Sequence, residues 1–102
     1  MADKLKADSW IWVIVQNPGG DEQFLGQYDD KKDLSFIPAF YEKDIANQCL
    51  GRLITVKGTK YEAQAVLYEE LVKDAAQHGF FIFMLNADGE IMQEIAPGHQ
   101  SA

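Results

Sequence analysis

The stretch TKYEAQAVLYEELVKDAAQHG, Thr59 to Gly79, decides how this chain is read. It opens on a capping box. The Thr59 hydroxyl is spaced to accept from the amide of Glu62, and the Glu62 carboxylate to reach back to the amide of Thr59. The pattern predicts a helix from there to about His78, stopped by Gly79. On a helical wheel Tyr61, Ala65, Tyr68, Leu71, Val72, Ala75 and Ala76 share one side, and Glu62, Glu69, Glu70, Lys73 and Gln77 the other. Gln64 alone of the polar residues falls well inside the apolar arc, where its amide must find partners.

On either side of this stretch lie two runs that are apolar on both faces. WIWVIV, Trp10 to Val15, and FFIFML, Phe80 to Leu85, are rich in β-branched and aromatic residues and read as central strands. Between them, QFLGQY reads as a strand with a bulge at Gly26. LSFI reads as a short strand whose pairing Pro38 ends. Tyr41 to Leu50 forms a helix with Ile45, Ala46, Cys49 and Leu50 on its apolar face, and LITV, 53–56, is the strand after it. Asp88-Gly89 turns FFIFML into a final strand, IMQEI. The expected fold is α+β: one mostly antiparallel five- or six-stranded sheet with two helices, in the order β-β-β-α-β-α-β-β. Residues 1–8 are expected as a polar arm, 9–96 as a single domain and 97–102 as a flexible tail.

Composition excludes several functions. The formal charge of −7, with scattered lysines, disfavours nucleic acid and anionic membranes as partners. The start, MADKLKADSW, is polar with no apolar stretch of signal-peptide length, and no run is long enough to span a bilayer. One cysteine allows no internal disulfide, and a reducing cytoplasm is the expected location.

The segments that invite a chemical reading resolve into turns. NPGGDEQ, 17–23, lacks the Lys and Ser/Thr of a phosphate loop, and Asp21 and Glu22 would repel a phosphate, so it reads as a type II turn. NADGE would place Met84 and Ile95 at calcium-ligand positions, so it reads as a hairpin. Cys49 sits on an apolar helix face near the negative end of the helix, as an inert core thiol. His78 and His99 are not spaced as a metal site. No catalytic, cofactor-binding or metal-binding set emerges, and no cofactor is expected.

What remains is surface. If both helices cover one face of the sheet, the other face needs a second cover. One helix on each face is the alternative. The first expectation is a non-enzymatic binding or protein-interaction module, including a homodimer through an apolar sheet face built from Trp10, Trp12, Phe81 and Phe83. The second is a small-ligand-binding protein or small enzyme, with a small-molecule pocket near helix two whose polar groups are Gln64 and Tyr68.

SFIPAFYEKDIANQCL, followed later by ELVKDAAQHGFFIFMLNADGE, resembles the amino-terminal domain of SseB-like (enhanced serine sensitivity protein B) proteins. There a strand ends in Ile-Pro-x-Phe, here Ile37-Pro38-Ala39-Phe40, and leads into a short helix. The resemblance spans roughly residues 24–95 and implies a small α+β domain with no established catalytic residues.

Overall fold

The computed structural model describes residues 5–98. In chain order the elements are β1 (Trp10–Gln16), β2 (Gln23–Phe24), β3 (Gln27–Asp29), β4 (Leu34–Phe40), α1 (Lys43–Leu50), β5 (Tyr61–Leu67), α2 (Tyr68–His78), β6 (Phe81–Leu85) and β7 (Ile91–Ile95). The fold is α+β with two helices and a mostly antiparallel sheet, as expected, but the sheet has seven strands and not five or six, because QFLGQYD supplies two short strands in place of one; β4 and β6 form the parallel pair.

The decisive stretch folds differently from its helical reading. Tyr61–Leu67 is a strand, paired to β1 over the whole of β1, from Trp10↔Leu67 to Gln16↔Tyr61. The helix starts only at Tyr68. The capping box is not used: Leu67 is the N-cap, without a side-chain bond, and the carbonyls of Ser9 and Ala7 accept from the first amides, Tyr68 and Glu69. The physical reason is β1. Its apolar residues need partners along that edge, and a seven-residue ladder outweighs the local preference of Ala, Glu and Gln for helix. Gly79 ends α2 in the left-handed region at φ 70, as the sequence predicts.

On its other edge β1 forks. It pairs with β4 only at Trp12↔Phe40 and Val13↔Ala39, and beyond that the two strands diverge. The segment QFLGQYD fills the gap as a V, not as one bulged strand. β2 lies along β1 (Val15↔Phe24), β3 lies along β4 (Gln27↔Phe36), and the Leu25 amide at the apex donates to the Ile14 carbonyl at 2.8 Å. Gly26 is needed at the apex because an added Cβ would stand 2.7 Å from the Phe80 ring. β4 also continues through Pro38, which falls between its β3-paired and β1-paired stretches.

One helix packs on each face. Under α2 lie Ile11, Val13, Val15, Ile37, Ala39, Ile82, Met84 and Ile95, joined by Leu71 and Ala75 of the helix. Under α1 lie Ile14, Leu25, Phe40, Ala63, Phe83 and Leu85, joined by Ala46 and Cys49. Each of the doubly apolar strands β1 and β6 is thus covered on both sides from within the chain. Leu5, in the expected polar arm, packs against the α2-side core, while the end of the expected tail, 99–102 with His99, lies outside the described residues.

LITV is a loop. Ile54 and Val56 are 78% and 67% exposed, and their backbone is held by side chains instead of a neighbouring strand. The Gln27 amide both donates to the Ile54 carbonyl (2.8 Å) and accepts from the Ile54 amide (2.9 Å), and the Val56 amide donates to the Tyr61 hydroxyl (2.8 Å). Gln27 thereby mimics a strand residue. Gln27→Ala removes both bonds, at a cost of about 1–2 kcal/mol. Hydrogen exchange at the Ile54 amide is expected to speed up well beyond that of the β1 ladder, and equal protection in the variant would refute the tether.

Candidate functional site

A groove of about 630 Å³ opens on the α2 side of the fork. The second half of α2, which carries Asp74 and His78, forms one wall, and β5, which carries Gln64, contributes to the lining. Val15 of β1, Phe24 of β2, Ile37 of β4 and Phe80 supply apolar lining. Glu22, Gln23, Gln64, Asp74 and His78 supply polar groups from three separate segments.

Each of these polar groups is held by a nearby partner, and only Asp74 and His78 contact each other. Glu22 accepts the Gly19 amide through Oε2 at 2.7 Å, so the carboxylate itself takes the turn amide that a bound anion would need. The turn is of the expected type: the Gly20 amide donates to the Asn17 carbonyl at 3.0 Å, with Gly19 at φ 82. Gln16 Nε2 donates to Gln23 Oε1 at 3.0 Å, and Gln64 Nε2 donates to Glu62 Oε1 at 3.0 Å. His78 Nδ1 lies 2.9 Å from the Asp74 carbonyl and 3.9 Å from the Asp74 carboxylate, and its ring meets Phe80 edge-on at 6.2 Å. Carboxylates and amide oxygens dominate, so the groove is richer in acceptors than in donors.

The structure separates the two residues expected to form a pocket. Gln64 lines the groove, from β5 and not from a helix. Tyr68 does not: it is 3% exposed within the α2-side core, and burial pushes its phenol pKa up. Sequence reading missed Glu22, Gln23, Phe24, Asp74, His78 and Phe80. Only His78 and Phe80 carried a signal, the reversal at Gly79, which sets them on either side of a helix end.

The expected aromatic face is also divided. Phe83 is completely buried, stacked on Phe36 at 4.3 Å and 17°, with the Lys32 ammonium 5.9 Å from its ring centre. Lys32 reaches across to Glu94 of β7 at 2.7 Å and so roofs the ring. Phe83 is therefore core, and cannot serve as a contact surface. Trp12 is half-buried beneath α1, with the Lys43 ammonium 5.8 Å from its ring centre. Trp12 is level with Phe40, whereas Phe81 is level with Phe36, four residues away along β4. Trp10, at the start of β1 and level with Leu67, is 63% exposed.

A smaller groove of about 370 Å³ on the α1 side is lined by Phe36, Leu53, Ile54, Phe83, Leu85 and Ile91. Cys49 lies at its base, fully buried, with its thiol pKa raised by burial against the opposing pull of Arg52. Among the described residues no three His, Cys, Asp or Glu side chains gather as a metal site, and no helix is long and apolar enough to cross a membrane. No family model, curated protein or solved structure matches the chain.

Proposed function

We propose that this protein is a small-ligand-binding module, whose ligand has an aromatic or aliphatic body and a cationic, hydrogen-bond-donating end. The observation that carries this reading is the groove over the fork, with Val15, Phe24, Ile37 and Phe80 against Glu22, Gln23, Gln64 and Asp74. The body would rest on the apolar lining, and an ammonium would find carboxylates on both walls. The net charge of −7 favours the same sign of ligand. The argument for a partner covering an apolar sheet face is weakened, because α1 and α2 each cover one face.

The test compares two probes of matched shape and opposite charge, phenethylamine and hydrocinnamate, by amide chemical shifts. The amine is expected to shift Phe24, Ile37, Gln64 and His78, and Asp74→Asn to weaken it about tenfold, the effect of one charge-assisted contact. Equal binding of the carboxylate, or no shift at these residues with either probe, would reject the reading.

A further inference from the structure

The sheet has two edges, and they are built differently. β7 has five residues, pairs with β6 through a register shift between Met84 and Leu85, and is followed closely by Pro97. Irregular register and proline are among the usual means of keeping an edge from pairing. β5 has none of the irregularities. It runs seven residues, YEAQAVL, without proline or glycine, in unbroken register on β1, and Glu62 is its single charge.

The phase of the ladder shows which backbone groups β5 presents outward. Asn17 donates to the Lys60 carbonyl (3.0 Å) and Tyr68 to the Ser9 carbonyl (2.8 Å). Antiparallel pairs alternate, so the backbone groups of Glu62, Gln64 and Val66 turn toward β1, and those of Tyr61, Ala63 and Ala65 turn away. Among the described residues, none of these three makes a backbone bond outside the strand ladder.

We propose that β5 pairs antiparallel with β5 of a second copy of this chain, about a two-fold axis at Gln64, so that two sheets become one. This goes beyond the ligand reading and does not depend on it. The sequence of the strand is complementary to itself in that register. Ala63 faces Ala65, Tyr61 faces Leu67, and Glu62 faces Val66, with the outward amides and carbonyls of Ala63 and Ala65 opposed. An axis at Gln64, the midpoint, pairs the whole strand, and any shift shortens the ladder. The charges also match. Lys60 meets the second copy at Tyr68, beside Glu69 and Glu70 in the first turn of α2, and no like charges face each other. The two grooves then adjoin across the axis at their Gln64 side chains.

The experiment is light scattering after size exclusion, over a range of protein and salt concentrations, with no ligand present. The wild type is expected to dimerise, more tightly in salt, which screens the −7 charge of each copy. Ala65→Pro removes an outward amide without touching the β1 ladder, and is expected to give a monomer with a wild-type circular dichroism spectrum. Gln64→Glu sets two carboxylates face to face and is expected to weaken the dimer at least about tenfold. Mixing it with Gln64→Lys is expected to restore a heterodimer. This charge pair keeps the test open if the proline variant unfolds. A wild type that stays monomeric to millimolar concentration overturns the proposal. So does a dimer that ignores both Gln64 charges but is lost with Trp10→Ala.

Discussion

Phe83→Ala is expected to lower the unfolding free energy by about 3–5 kcal/mol, the range for removing a fully buried aromatic ring. For a chain of this size that is a fall in melting temperature of roughly 12 °C or more. Three features place Phe83 at the upper end of core sensitivity. It is completely buried between β4 and β7 on the α1 side, it stacks on Phe36 and meets Phe81 edge-on at 6.2 Å, and its outer side is closed by Lys32 and Glu94. The cavity left behind cannot fill easily, because β6 is held on both edges, by β4 and by β7. Trp10→Ala is the contrasting variant. With 63% of its surface exposed, Trp10 should cost within about 0.5–1 kcal/mol. The two aromatic residues look alike in an alternating strand pattern, but thermal unfolding should separate them sharply. Equal, small effects would return Phe83 to the surface and restore the shared aromatic face.

That contrast shows what the sequence could and could not express. β1 and β6 were legible because apolar residues on both parities require cover on both faces. The turns at Pro18-Gly19 and Asp88-Gly89 were legible because backbone conformation restricts residue choice. Asn86 confirms the second, accepting from the Asp88 and Glu90 amides through Oδ1 at 3.0 and 2.9 Å. Which helix covers which face was not legible, since that depends on pairing order in the sheet. The loop 51–60 was not legible either: its β-branched residues have strand character, but their backbone partners are the side chains of Gln27 and Tyr61, distant in sequence or wrong in type. The groove was partly legible through Gln64. A polar residue inside a helical apolar arc was the one local conflict in the helix reading. On a strand the conflict disappears, because Gln64 then sits beside Glu62 on the face that opens to the groove.

The assignment of residues 61–67 to a strand carries the largest structural consequence, and a pair of prolines tests it. In a helix begun at Thr59, proline at Gln64 and at Ala65 would both fall in the interior, each costing about 3 kcal/mol or more. In the strand the two positions are unequal. The Gln64 amide turns toward β1, opposite Val13 in the middle of the ladder, so Gln64→Pro removes a central bond and leaves a buried carbonyl without its donor. The expected loss is about 3 kcal/mol, combining the orphaned acceptor with steric displacement of β1. The Ala65 amide turns away from β1, and an edge strand tolerates proline there, so Ala65→Pro should cost no more than about 1 kcal/mol in the monomer. Denaturant titrations at a concentration below any dimerisation measure both. A large loss at Gln64 with a small one at Ala65 is the signature of a strand in this register. Equal large losses would restore the helix from Thr59, and with it would go the groove as described, because Gln64 lines it from strand β5. The reverse inequality would mean that β5 is slipped by one residue, which would turn Gln64 and Glu62 to the α1 side and bring Ala63 and Ala65 onto the groove.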